Sequence, residues 1–261
     1  MTKLMGVVNV TPDSFSDGGL YLDPEAAIAH GRELAAAGAE ILDVGGESTR
    51  PGAEAVAADE ELRRVIPVIR GLVAAQAQIS VDTSKASVAA AALDAGAEIV
   101  NDVTALRGDP EMAALCAERG ATVVLMHMRG EPRTMQEDPR YDDVVAEVRA
   151  FLAERAEAAV AAGIAQDGVW LDPGIGFGKT AAHNMELLRR LGELHELGRP
   201  LVIGTSRKSF IGKVDGSAPD ERLGGTIASS VLAAAEGAEV LRVHDVAEMR
   251  QALAVATAIL G

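Results

Sequence analysis

Short apolar runs rich in Val, Ile and Leu alternate with longer Ala-rich stretches along the whole chain. A recurring unit links the two. Gly38-Ala39-Glu40-Ile41 leads into Leu42-Asp43-Val44, and Gly96-Ala97-Glu98-Ile99 leads into Val100-Asn101-Asp102. Gly120-Ala121-Thr122-Val123 leads into Val124-Leu125-Met126-His127, and Gly237-Ala238-Glu239-Val240 into Leu241-Arg242-Val243-His244. Each time an Ala-rich stretch of helical character stops at a Gly and a short apolar run follows. Gly reaches positive φ without steric cost, which makes it the favoured residue just past a helix end. The unit therefore reads as helix, Gly stop, buried parallel strand.

The pattern predicts eight strands, roughly Leu4–Val10, Glu40–Val44, Ile79–Val81, Glu98–Asn101, Thr122–Met126, Val169–Leu171, Leu201–Gly204 and Val240–Val243. A predicted helix follows each: Pro24–Ala37, Asp59–Ala75, Lys85–Asp94, Pro110–Glu118, Asp142–Ala162, Ala181–Leu191, Asp220–Glu236 and Ala247–Leu260. Asp23 ahead of Pro24 caps the first and Asp109 the fourth. In the second, Leu62, Val65, Ile66, Ile69 and Val73 form an apolar stripe, and Pro67 is expected to kink the helix or break it in two. Eight β-then-α units with nothing left over predict one domain over residues 1–261, a single (β/α)8 TIM barrel of the α/β class. A doubly wound open sheet is the alternative.

Composition narrows this picture. The 261 residues are a typical barrel length. The core is aliphatic, with 48% hydrophobic but only 3% aromatic residues. A net charge of -15 speaks against nucleic acid, which is held mainly by Lys and Arg. It does not exclude a small anionic substrate gathered by a local basic cluster. The single cysteine, Cys116, rules out an internal disulfide or a thiolate zinc cluster and reads as a small core residue. The chain opens Met1-Thr2-Lys3 and enters a strand at once. With no signal peptide and no membrane-length apolar run, a cytoplasmic protein without membrane contact is expected.

Barrel chemistry sits at the C-terminal ends of the strands. Here every such end is polar: Asn9, Asp43, Asp82, Asn101 with Asp102, His127, Asp172, Thr205 with Ser206, and His244. Any one of these could merely cap the next helix, and for Asp102 and Thr205 that is the expectation. The set is harder to explain that way, because Gly-rich segments follow several of these ends. Asn9 through Gly19 carries Asp13, Phe15 and Asp17, more functional groups than a connector needs. Asp43 through Gly52 carries the lone Arg50. Asp172 through Lys179 is a Gly-rich turn without the spacing of a P-loop. Ser206-Arg207-Lys208 and Arg242-Val243-His244 add cations where barrels commonly hold phosphate. For Arg207 a rim salt bridge is an equal alternative. Asp82, Asp172 and Asn101 could read the N–H edges of a flat heterocycle. Arg50, Arg242 and His244 could hold an anion, and Asn9 with the loop carboxylates could share a divalent cation with it.

These segments, in this order and spacing, resemble the dihydropteroate synthases of folate biosynthesis from Met5 to the final helix. The resemblance implies a transferase, a homodimer with the site at the strand ends. It would join 6-hydroxymethyl-7,8-dihydropterin pyrophosphate to p-aminobenzoate, giving 7,8-dihydropteroate and pyrophosphate with Mg²⁺ present. By position, it implies that Asp82, Asn101, Asp172 and Lys208 hold the pterin with Asp43 beside them, and that Met126 and Phe177 pack on the substrates. Asn9, Arg242 and His244 would bind the pyrophosphate, Asn9 through the metal. Thr49, Arg50, Pro51 and Ser206 would line the p-aminobenzoate side under Phe15, a set expected to accept sulfonamides too. Loss of pyrophosphate would come first, with Asp82 and Asp17 stabilising the pterin cation that the arylamine attacks. A pterin-binding methyltransferase domain is disfavoured by Asn9–Gly19 and Arg242–His244, for which it has no use. A non-catalytic pterin-binding paralogue is disfavoured by the intact loop residues.

Overall fold

A computed structural model describes residues 2–11, 23–49, 52–130 and 133–260. Eight parallel strands form the centre: β1 (Lys3–Asn9), β2 (Ile41–Gly45), β3 (Gln78–Asp82), β4 (Ile99–Asp102), β5 (Thr122–Met126), β6 (Val169–Asp172), β7 (Val202–Ile203) and β8 (Val240–Val243). They pair in the order β6-β5-β4-β3-β2-β1-β8-β7. A single parallel bridge, Leu171 to Leu201, joins β6 to β7 and brings the ends of the sheet together. This is the expected barrel and not the open sheet. The helices around it are α1 (Pro24–Ala36), α2 (Ala58–Leu72), α3 (Ala86–Ala95), α4 (Met112–Arg119), α5 (Val144–Ala161), α6 (Ala181–Arg189), α7 (Gly192–His195), α8 (Ser209–Asp215), α9 (Leu223–Ala235) and α10 (Val246–Leu260).

Parallel strands buried on both faces need two apolar sets, and the chain supplies both. The larger lies between strands and helices and includes Leu42, Ile69, Leu125 and Leu241. The smaller fills the barrel interior: Met5, Ile41, Ile99, Val124, Val202 and Val240, with Trp170 packed against them. Each fully buried Leu, Ile or Met contributes roughly 1.5–3 kcal/mol by leaving water. The recurring glycines behave as their positions require, with Gly38, Gly96, Gly120 and Gly237 all at positive φ between helix and strand. Cys116 is buried in the outer core, and burial pushes its thiol up to about 12.

Four local expectations change. Helix α2 runs unbroken through Pro67. Pro67 is exposed, so the carbonyl that loses its N–H partner lies on the side that water can reach. The buried face of α2 is Val65, Val68, Ile69 and Leu72, while Val73 is exposed beyond the helix end. Asp109 does not cap α4, which starts at Met112; its carboxylate accepts from the N–H of Glu111 at 3.0 Å and from Ala86 at the start of α3 at 2.9 Å. Between β7 and α9 lies the unpredicted helix α8, whose seven residues are too few for a periodic signal. No helix among the described residues is long and apolar enough to cross a membrane.

Candidate active site

Side chains alternate along a strand, so residues two apart face the same way. On the inward face this creates a regular change of chemistry. Ile41 is followed inward by Asp43, Ile99 by Asn101, Trp170 by Asp172 and Val240 by Arg242. Each of these four strands gives its lower inward position to the apolar plug and its upper one to a polar group. The polar groups converge above a dry floor at the C-terminal mouth.

Asp43 is the hub of this layer. It is wholly buried and its carboxylate accepts three side-chain hydrogen bonds, from Ser80 Oγ at 2.6 Å, Asn101 Nδ2 at 3.1 Å and Arg242 Nε at 2.6 Å. Arg242 also donates through Nη2 to Asp82 at 3.0 Å. Burial works against the guanidinium charge, but the Asp43 and Asp82 carboxylates more than offset it and raise its pKa. Asp82 responds in the opposite sense. Burial and the neighbouring Asp43 charge push its carboxyl up to about 7 against the pull of Arg242. Asp172 is raised too, chiefly by burial, and its Oδ1 accepts from the Gly174 N–H at 2.7 Å. Strand register places Asn9, Gly45, Asp82 and Asn101 side by side at one level.

Cations approach from the β6–β8 side. Lys208 Nζ lies 4.0 Å from the centre of the Phe177 ring, a cation–π contact. Phe177 packs with Val103, Met126, Met128 and Met135. The Ser206 hydroxyl contacts His244 Nδ1 at 2.9 Å and accepts from the His244 N–H at 3.2 Å. Arg207 makes the rim salt bridge, to Asp245 at 2.6 Å. On the opposite side, Lys85 Nζ donates to Glu47 and to Glu61, the latter at 2.5 Å. Burial disfavours the Lys85 charge, yet these two carboxylates outweigh it and its pKa is raised.

Three strand-end groups, His127, Asp102 and Thr205, turn away from the mouth. His127 is buried, meets the Phe151 ring edge-on at 4.9 Å and contacts Lys179 Nζ through Nδ1 at 2.9 Å. Burial and Lys179 together hold its imidazole down at about 2. Lys179 also donates to the carbonyls of Gly174 and Phe177, both at 3.0 Å, so it ties the Gly-rich turn together from beneath. Burial draws its ammonium down to about 7. Asp102 and Thr205 are structural as expected. Asp102 accepts from Thr104 and from the Leu106 N–H, and Thr205 pairs with Ser230 at 2.8 Å.

A cavity of about 440 Å³ opens over this layer, a size suited to a small-molecule ligand. Of the expected site residues, Asn9, Thr49, Asp82, Phe177, Ser206, Lys208, Arg242 and His244 line it. Asp43, Asn101, Met126 and Asp172 are buried around its base. Phe15, Asp17, Arg50 and Pro51 lie outside the described residues, as does Asp13. Glu47, Met135, Pro219 and Arg222 also line the cavity. Glu47 lies in the Asp43–Gly52 segment but was given no role, and Met135, Pro219 and Arg222 lie in no motif, because nothing local marks a residue that reaches the mouth from a neighbouring loop. Two other grooves, of about 480 and 530 Å³, are apolar and lie on helix faces. The mouth is where polar strand ends converge.

A family model described as pterin binding enzyme matches residues 5–244. The chain is 49% identical over 259 residues to the dihydropteroate synthase of Escherichia coli (strain K12), covering 99% of this chain and 92% of that one. The structure of Yersinia pestis dihydropteroate synthase with a sulfonamide drug complex matches with a TM-score of 0.96 at 45% identity, over 99% of this chain and 94% of that one. Xanthomonas albilineans dihydropteroate synthase with 4-aminobenzoic acid matches with a TM-score of 0.93 at 53% identity, over 100% of this chain and 93% of that one.

Proposed function

The chain belongs to the dihydropteroate synthases of the pterin-binding enzyme family, and on that premise we propose how its mouth divides the work of joining dihydropterin pyrophosphate to p-aminobenzoate. The observation that carries the division is Arg242. It lines the cavity while its inner edge is held by Asp43 and Asp82. A guanidinium has five N–H donors, so its outer edge remains to meet an anion. Asp82, Asn101 and Asp172 read the donor edges of the pterin, with Lys208 and Phe177 along its flank and Met126 beneath. Asp43 acts through Asn101 and Arg242, whose positions it fixes. His244, Arg242 and Asn9 take the pyrophosphate. Thr49 and Ser206 face the arylamine, together with Phe15, Arg50 and Pro51.

Among the described residues, no group of three His, Cys, Asp or Glu side chains could hold a metal. Asn9 offers one amide oxygen at the mouth, which fits an Mg²⁺ that brings phosphate oxygens and water as its other ligands. Bound there, Mg²⁺ would neutralise charge on the leaving pyrophosphate.

In the reaction the C–O bond to pyrophosphate breaks with its electron pair leaving on oxygen. The arylamine nitrogen then bonds to the pterin methylene and loses a proton. Arg242 and His244 stabilise the departing anion. Asp82 stabilises the pterin cation, assisted by Asp17. A carboxylate pushed up by burial gains most from a positive charge placed beside it, because that charge restores what desolvation removed. The exposed apolar side chains Val214, Leu232, Val255, Ile259 and Leu260 support a homodimer, and the reading places the enzyme in the cytoplasm.

The test is pyrophosphate release from dihydropterin pyrophosphate and Mg²⁺, with and without p-aminobenzoate. Release that depends on the arylamine, forms dihydropteroate in step and is suppressed by a sulfonamide is expected. Tight pterin binding with no release under either condition would overturn the reading.

A further inference from the structure

We propose that Lys85 is a positioning residue for the arylamine side of the site, holding the backbone that follows β2 through two carboxylates, Glu47 and Glu61. The proposal rests on the reading that puts Thr49 beside the arylamine.

Glu47, Ser48 and Thr49 follow β2 directly and line the cavity. The backbone just before them is tightly seated. The Gly45 carbonyl accepts from the Val10 N–H at 2.8 Å, and the Gly46 carbonyl accepts from Arg64 Nη1 at 2.9 Å. A Cβ on Gly46 would stand 2.7 Å from Val65 Cγ1 and 3.1 Å from Glu61 Cγ, so this point of the chain rests directly on α2. Glu47 carries the next anchor, and its carboxylate accepts from Lys85. Lys85 comes from the other direction, at the start of α3 beyond Asp82.

Glu61 explains why the anchor is stiff. It sits on α2 with its side chain fully buried, and Oε2 accepts from Lys85 at 2.5 Å. Among the described residues, its Oε1 has no hydrogen-bond partner. A carboxylate so placed has Lys85 as its one ion-pair partner among the described residues, and Lys85 cannot move without stranding it. The Lys85 and Glu47 side chains are 25% and 22% exposed, so water screens their contact much less than a surface pair. One ammonium thus fixes the strand exit to the helix on which it rests. A displacement of about 1 Å at a positioned substrate can cost on the order of a hundredfold in rate.

A buried ion cluster could instead serve stability alone, so the test must separate the two roles. Pyrophosphate release is measured with each substrate varied in turn, alongside the melting temperature. The proteins are the wild type, Lys85→Met, Lys85→Arg, the double variant Lys85→Met/Glu61→Leu, and Thr49→Ala. Lys85→Met is expected to raise KM for p-aminobenzoate roughly tenfold while KM for dihydropterin pyrophosphate changes less than about twofold. Lys85→Arg should restore most of the loss. The double variant removes the stranded carboxylate, so its melting temperature should recover while KM for the arylamine stays high. The proposal is overturned if both KM values shift together, or if the double variant recovers stability and KM alike. Thr49→Ala with an unchanged KM for p-aminobenzoate would sink the arylamine-side reading itself, whatever Lys85→Met does.

Discussion

Asp82 and Arg242 stand 3.0 Å apart with Asp43 against the same guanidinium, so three charges share one poorly hydrated space. Burial, and after it the Asp43 charge that competes for the same cation, raise Asp82 from 3.8 to about 7. The sign of the linkage follows. Between those values the folded chain keeps a proton that the unfolded chain has released. The stability gained is complete below the unfolded value and is lost as pH rises through about 7. Asp82→Asn keeps the shape and removes the titration. Its unfolding free energy should therefore fall less between about pH 5 and pH 8 than that of the wild type, a difference on the order of a few kcal/mol read by denaturant unfolding at each pH. Parallel pH curves for the two proteins would rule this out. Its affinity for the pterin should drop about tenfold or more, since a charged hydrogen bond is lost. At this scale the sequence marked which strand ends are polar but not which layer each side chain enters. Met126 faces inward, so His127 faces the helices, and Asn101 and Asp102 divide in the same way. Polarity at a strand end marks a candidate; the parity of its position decides which layer it enters. Partnerships across elements, such as Lys179 with His127 or Lys85 with Glu61, leave no trace in local spacing.

Elements that carry the site are held by close backbone approach as much as by side chains. The turn after β6 packs on the exit of β5 at Gly174, where φ is +68° and a Cβ would lie 1.9 Å from the His127 carbonyl oxygen. Gly174→Ala must therefore move one backbone or the other, and with it Phe177. Thermal or denaturant unfolding should show a loss of at least about 2 kcal/mol, with reduced turnover. A change under about 0.5 kcal/mol would mean that the turn has slack the geometry does not show. Gly174 and Gly178, which in sequence could suggest a phosphate cradle, are explained by close approach to the backbone of His127 and Arg129, while Gly176 lies against Lys208. Strand and helix identity came through clearly because each element repeats a pattern over several residues. Boundaries near α4 and the presence of α8 did not, since a short helix beginning in a loop has neither period nor cap to announce it.

For the whole molecule, net charge and surface apolarity pull in different directions. A charge of -15 favours dispersal. Yet Val214, Leu232, Ile259 and Leu260 are 65–77% exposed on the helices α8, α9 and α10. A homodimer should thus run at about twice 27.0 kDa by light scattering. Leu232→Glu combined with Ile259→Glu should shift it to the monomer, because a buried unpaired carboxylate is not tolerated at an apolar contact. A wild-type monomer at micromolar concentration would defeat this. The barrel itself was foreseeable, since eight repeats of one unit leave few other closures. The exterior face was not, because exposed and buried helix positions in Ala-rich stretches look alike.

The apolar plug of Met5, Ile41, Ile99, Val124, Val202 and Val240 makes the barrel a blind alley. Everything that enters must leave by the door it came through. A pterin lying on the polar layer is the deepest guest, and whatever stands above it bars its exit. On the proposed division of the mouth, the finished product with its arylamine attached would have to withdraw tail first past the cations at the rim.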